Sequence, residues 1–139
     1  MSWRFLLDTN VLSEPTRPIP NSNVLEMLEP HQHEIATATI VFHELLFGCQ
    51  RLPESRKRRI IESYLNEVVR VQIPMLPYDA NAAIWHATER ARLSSIGNTP
   101  SFADGQIAAI AKVNDLILVT NNVSDFADFI DLQIKNWYV

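Results

Sequence analysis

Trp3-Arg4-Phe5-Leu6-Leu7-Asp8-Thr9-Asn10 is the stretch that decides the architecture. Residues 3–7 form a short apolar run, read as a buried strand, and the run ends with no spacer on an acid. Working outward, residues 11–14 continue as a helical turn, and the Pro15 to Pro20 region breaks it. Ser22 is expected to cap a helix over about 23–29, with Val24, Leu25 and Leu28 on one face. Residues 34–38 read as a second strand, and Thr39 as the cap of a helix running to about Cys49.

The spacing of Ile60, Ile61, Tyr64, Leu65 and Val68 predicts a helix over about 54–69. Residues 71–76 look extended, and Pro74 assigns them to a sheet edge. Asp79 opens a long helix to about Ser95, residues 97–100 form a loop, and a further helix covers about 102–113. Residues 116–119 are an apolar strand, residues 121–125 a loop or helical turn, and residues 132–137 a last strand. Strands alternating with helices predict an α/β fold: a three-layer α/β/α sandwich on a mostly parallel central sheet, with sites gathered beyond the carboxyl ends of the strands.

Composition sets the outer limits. A chain of 139 residues with 47% apolar content suits one domain over 1–139 with a packed core. Cys49 is the only cysteine, so neither an internal disulfide nor a cysteine-based zinc site can form. No run is long and apolar enough for a signal peptide or a membrane span, and a reducing cytoplasmic setting is the simplest expectation. A net charge of −4 is unlike that of a simple nucleic-acid holder, which is usually basic. It does not exclude a nuclease that gathers acids around a metal and keeps its cations on a rim.

Three carboxylates break the binary pattern. Asp8 leaves the end of the first strand. Glu44 lies on the apolar stripe of its helix, with Ile40 and Val41 before it and Phe47 and Gly48 after. Asp104 leads into Ile107, Ala108 and Ala111 at spacings of three, four and seven. Singly, each has an ordinary explanation: a helix cap for Asp8, a rim position for Glu44, a dipole partner for Asp104. Converging on one crevice they would repel one another, and the usual remedy is a divalent cation, Mg²⁺ or Mn²⁺ for hard oxygen donors. Thr9, Asn10 and Ser13 are placed to orient Asp8 or hold water. Thr120, Asn121 and Asn122 follow the strand at 116–119 and are expected in the same crevice, with Asp125 as a fourth acid.

These residues, in this order, resemble the PIN-domain ribonucleases, most closely the VapC and FitB toxins of bacterial toxin–antitoxin pairs. Residues 6–14 (LLDTNVLSE) are similar to the family's first motif, residues 44–48 (ELLFG) to its second, residues 103–111 (ADGQIAAIA) to its third and residues 119–126 (VTNNVSDF) to its fourth. The resemblance covers nearly the whole chain. It implies Mg²⁺ or Mn²⁺ at Asp8, Glu44 and Asp104, and endonucleolytic cleavage of RNA by an activated water to give 3′-hydroxyl and 5′-phosphate ends. It also implies a homodimer and a cognate antitoxin as partner. Asn122 departs from the pattern, standing where many members carry an acid; its amide oxygen supplies no charge, and Asp125 is the expected substitute.

Cations for RNA phosphates are sought in Arg51, Arg56, Lys57, Arg58 and Arg59, and further along in Arg90 and Arg92, against the simpler reading of a solvated helical face. Trp85, Tyr64 and Trp137 are stacking candidates for which packing is the simpler role. Two rivals remain: a phosphatase with Asp8 as covalent nucleophile, and a PIN-like module that binds RNA or protein without cutting, motivated by Asn122.

Overall fold

The computed structural model describes residues 2–139. Its centre is one five-stranded sheet in the order β3-β2-β1-β4-β5, with every ladder parallel. The strands are β1 (Phe5–Leu7), β2 (Ile35–Ala38), β3 (Met75–Leu76), β4 (Ile117–Val119) and β5 (Ile134–Lys135). Phe5 faces Ile35 on one side and Ile117 on the other, and Leu7 pairs with Val119. All three residues of β1 are buried, so the expected apolar strand is the middle of the sheet.

Helices cover both faces, as the alternating pattern predicts. They are α1 (Thr9–Ser13), continued by a 3₁₀ turn at Glu14–Thr16, then α2 (Ser22–His31), α3 (Thr39–Gln50), α4 (Arg56–Ser63), α5 (Arg70–Gln72), α6 (Ala80–Ser95), α7 (Phe102–Val113) and α8 (Val123–Phe126). The chain steps outward from β1 to β2 to β3, then returns to the other side of β1 for β4 and β5. The order therefore reverses at β1, and the crevice at the carboxyl ends of β1 and β4 is where such sheets place their sites.

Several boundaries differ from the sequence reading. The cap of α2 is Asn21, whose side chain accepts the Val24 N–H at 3.1 Å, and Ser22 is the first helical residue. Thr39 begins α3 without capping it; Ala38 holds the cap position with no side-chain bond. The helix expected over 54–69 starts at Arg56, capped by Ser55, and widens into a π-helical segment at Tyr64–Val69 before α5. Residues 71 and 72 are therefore helical, the Ile73 N–H still donates to the Val69 carbonyl at 3.0 Å, and the edge strand begins only at Met75.

The aromatic candidates for base stacking belong to the core. Trp137 is buried edge-on to Phe5 at 5.1 Å, Trp85 packs on Phe129, and the Tyr64 hydroxyl donates to the Leu12 carbonyl at 2.7 Å.

Candidate active site

Asp8 follows β1 directly and serves as the cap of α1: its Oδ1 accepts the Thr9 N–H at 2.8 Å. Its other oxygen accepts a 2.8 Å hydrogen bond from the Thr120 hydroxyl, just past the end of β4. The Thr120 oxygen in turn accepts the Asn122 N–H at 3.0 Å. Asp8 is 5% exposed and Thr120 is fully buried, so the carboxylate is fixed by two donors from neighbouring strand ends. The ordinary capping role and the site role fall on the same residue.

Glu44 comes from α3 and Asp104 from the first turn of α7. Together with Asp8, Thr9, Asn10 and Ser13 they line an open cleft of about 340 Å³. Asn122 reaches it too. Burial pushes the Glu44 carboxyl above its ordinary value, and the charges of Asp8 and Asp104 push it the same way. The Asp104 carboxyl is also raised, first by burial and then by Asp125 and Asp8, against a lowering hydrogen bond with Ser101. The acids thus sense one another across the cleft. Glu44 is more open than its apolar neighbours suggested: the face it shares with half-exposed Phe47 turns to the cleft and solvent, not to the core.

Asp125 does not line this cleft. It lies in an adjoining recess of about 330 Å³ with Ser101, Ser124 and Asp128, and Asp104 stands on the boundary between the two. Of the polar residues expected around Asp8, Thr120 acts from below as a buried donor. The Asn10 side chain accepts the Asn121 N–H at 3.4 Å, and the Ser13 hydroxyl donates to the Asn10 carbonyl at 3.2 Å.

With that geometry in place, comparison with known proteins gives a direct match: residues 5–130 fit the PIN domain family. This chain belongs to the PIN-domain family. It is similar to the toxin FitB of Neisseria gonorrhoeae, 32% identical over 127 residues that make up 87% of this chain and 89% of that protein. It is also similar to the tRNA(fMet)-specific endonuclease VapC of Shigella flexneri, 31% identical over 96% of this chain and 98% of the relative. Among solved structures, FitAcB from Neisseria gonorrhoeae superposes with a TM-score of 0.88 at 31% identity, covering 96% and 98% of the two chains. VapBC2 from Rickettsia felis, bound to a DNA fragment from its promoter, gives 0.82 at 25% identity over 99% of each.

PIN-domain ribonucleases in general use divalent metals. The donor set of this PIN domain suits a hard cation: carboxyl groups raised first by burial and then by neighbouring acids, in a cleft also lined by amide and hydroxyl groups. Among the described residues, however, no three His, Cys, Asp or Glu side chains converge tightly enough to ligate one ion directly. The two observations agree if part of the contact runs through water, since Mg²⁺ gives up its hydration shell reluctantly.

The cations expected to serve RNA divide sharply. Arg58 is committed: its Nε meets Glu62 at 2.6 Å and a terminal amino group donates to the Leu52 carbonyl at 3.0 Å. Arg92 is held by Glu89, Arg51 lies over the Phe47 ring, and Arg90 over Phe102. Arg56, Lys57 and Arg59 are exposed, and none of the five expected residues lines the acid cleft. Arg17 does, and the sequence reading missed it.

Glu14, its partner, closes the first motif but was given no role of its own. Glu14 is 3% exposed; it accepts the Asn21 N–H at 2.9 Å and the Tyr138 hydroxyl at 2.8 Å, and its pair with Arg17 Nε spans 3.3 Å. Burial alone would raise its carboxyl, but the Asn21 N–H, the Tyr138 hydroxyl and Arg17 together bring it below the ordinary value. Burial, followed by Glu14 itself, raises the Tyr138 hydroxyl. That hydroxyl also lies 3.0 Å from the Asn10 carbonyl, so Tyr138 braces α1, the helix that follows Asp8. The Glu14-x-x-Arg17 spacing was the available signal in the sequence.

Among the described residues no helix is long and apolar enough to cross a membrane.

Proposed function

We propose that this PIN domain is the toxin of a toxin–antitoxin pair: an Mg²⁺- or Mn²⁺-dependent endoribonuclease, dimeric, and restrained by a cognate antitoxin. The observation that carries the reading is that Asp8, Glu44 and Asp104, from three separate elements, line one open cleft at the carboxyl end of the central strand. The relatives support the assignment. FitB is named a toxin, the Shigella VapC is named a tRNA(fMet)-specific endonuclease, and VapBC-5 of Mycobacterium tuberculosis, with a TM-score of 0.71 at 25% identity, is described as a toxin–antitoxin member.

Asp8, Glu44 and Asp104 would hold the ion, in part through water. A bound divalent ion supplies positive charge for the scissile phosphate and acidifies the attacking water. The chain's own residues do the placing. The Thr9 N–H and the Thr120 hydroxyl lock Asp8 in one orientation, and Ser101 caps the helix turn that carries Asp104 by accepting its backbone N–H at 3.1 Å. Asn10, Ser13 and Asn122 offer hydrogen bonds to water or phosphate oxygens within the cleft. The openness of the cleft lets a strand of RNA enter from the side, and the expected products carry 3′-hydroxyl and 5′-phosphate ends. Asn122 leaves the set of three acids intact, so a cutting enzyme is preferred to a silent binding module.

The test is cleavage of transfer RNA and messenger RNA by the purified protein with Mg²⁺ or Mn²⁺, with chelator as control. Asp8→Asn and Asp104→Asn are expected to abolish cutting with the melting temperature preserved. Folded wild-type protein that cuts no RNA at saturating Mn²⁺ overturns the proposal, and an acyl-phosphate trapped on Asp8 would favour the phosphatase.

A further inference from the structure

A second cleft, of about 490 Å³, lies beside the acid cleft and is lined by Thr16, Arg17, Pro18, Ile19, Lys57 and Ile61. Arg17 lines both clefts and is the one cation among the described residues lining the acid cleft. We propose that Arg17 and Lys57 form a phosphate-binding track that carries the RNA strand out of the acid cleft and across the start of α4. The inference rests on the nuclease reading and deepens it: the ligand is the phosphodiester backbone of single-stranded RNA, and Arg17 holds the phosphate nearer the cut.

Three observations support this. First, Glu14 does not depend on Arg17 alone. Its carboxylate already accepts two shorter bonds, from the Asn21 N–H at 2.9 Å and the Tyr138 hydroxyl at 2.8 Å, while Arg17 approaches through Nε at 3.3 Å. The side chain of Arg17 is 57% exposed and its recorded contact with Glu14 is through Nε, which leaves two terminal amino groups for the fork that matches a phosphate.

Second, the segment that carries Arg17 is rigid before any ligand arrives. The Arg17 N–H donates to the Glu14 carbonyl at 3.1 Å, the Thr16 hydroxyl to the Ser13 carbonyl at 2.7 Å, and Pro15, Pro18 and Pro20 fix backbone angles on either side. Little ordering cost is left for binding. Third, the charges sort by availability. Arg58, next to Lys57 in sequence, is consumed by Glu62 and Glu54, whereas Lys57 lines the cleft with no ion pair among the described residues. A cleft walled by three acids repels a polyanion unless cations flank its exit, and these two do.

The experiment measures binding apart from cutting. Asp104→Asn serves as the non-cutting background, and a short labelled single-stranded RNA is titrated in Mg²⁺ across a salt series. Each phosphate contact contributes about 0.7 to the slope of log affinity against log salt for single strands. The double variant Arg17→Met/Lys57→Met is therefore expected to flatten the slope by about 1.4, roughly a 25-fold loss of affinity at about 0.1 M salt. Arg70→Met, which removes a charge from outside both clefts, is expected to change the slope far less. Should Arg17→Met melt early because Glu14 loses its cation, Glu14→Gln/Arg17→Met removes both charges of the pair, and with Lys57 retained a slope change of about 0.7 is expected. An unchanged slope in the double variant, or an equal change in Arg70→Met, overturns the track while leaving the nuclease reading intact. Failure of the wild type to cut RNA, by contrast, strikes the nuclease reading itself.

Discussion

Adding one methyl group at Gly105 should damage this protein more than its helical position suggests. Gly105 lies in α7, where alanine is worth up to about 1 kcal/mol more than glycine on intrinsic propensity. A Cβ built there would meet His86 of α6 at 2.1 Å from Nε2, 2.6 Å from Cδ2 and 2.9 Å from Cε1. Carbon contacts prefer about 3.5–4.0 Å, so the ring must retreat by about 1.5 Å or the two helices must part. The ring has little freedom to retreat. His86 is 2% exposed, its Nδ1 lies 2.8 Å from the Tyr78 hydroxyl, and Phe102 packs on it at 5.0 Å.

Its Nε2 has no hydrogen-bond partner, and burial, followed by Arg90, holds the ring's pKa down. The neutral tautomer with the proton on Nδ1 therefore fits best, leaving a bare lone pair against the glycine, because an orphaned N–H is the costlier defect. Overpacking of this severity costs about 3 kcal/mol, the upper end of the usual range, so the net loss for Gly105→Ala is about 2 kcal/mol. For a chain of this size that is a fall in Tm of roughly 6–10 °C. The assay is thermal unfolding of Gly105→Ala, His86→Ala and the double variant. The clash model requires the two changes to offset each other by at least about 1 kcal/mol in the double. A Gly105→Ala protein as stable as wild type, or strict additivity, would refute the reasoning.

Other consequences can be measured alongside. Thr120→Val keeps the shape but removes one of the two donors that orient Asp8, so the cleavage rate should fall more than the roughly 1 kcal/mol lost in stability; an unaltered rate at saturating Mn²⁺ counts against it. Mn²⁺ at about a hundredfold its dissociation constant should stabilise the fold by about 2.7 kcal/mol, and Asp104→Asn should lose most of that response, both read as shifts in Tm. The Glu89 carboxyl lies below its ordinary value, first through its bond to Arg92 and then, against burial, through the Ile130 N–H. Its contribution to stability is therefore complete above the ordinary carboxylate range and fades as pH drops through the lower folded value. Acid unfolding of Glu89→Gln should be flatter across that window, and a wild-type-like profile would contradict the assignment. Glu44 and Asp104 carry the opposite sign: they destabilise the metal-free fold above their raised values, and that cost disappears as pH falls below the unfolded ones.

Much of this was legible from local pattern. An apolar strand ending on an acid placed Asp8, and an acid leading an apolar helical stripe placed Asp104, because a carboxylate at a core-facing position needs a reason. Glu44 was legible as a site residue but misjudged in burial, since a stripe of Phe47 and Gly48 reads as core until the structure turns it toward a cleft. Asn21 and Ser22 are both good capping residues, and only the Val24 N–H bond decides between them. The π-helical segment left no sequence signal, as it comes with a tertiary bond from Tyr64 to Leu12, 52 positions away. Arg17 escaped notice because its role depends on Tyr138, which meets Glu14 across 124 positions.

The bond between Asp8 and Thr120 joins residues 112 positions apart, and β1 itself waits for β4 before both its edges are paired. During synthesis from the N-terminus, the first acid is made early but stays unanchored until Thr120 has cleared the ribosome. A nascent chain stalled near residue 115 therefore lacks the hydroxyl that orients Asp8, and on the nuclease reading it should show no cleavage of RNA. Late closure of the sheet thus makes assembly of the acid cleft one of the last events of folding.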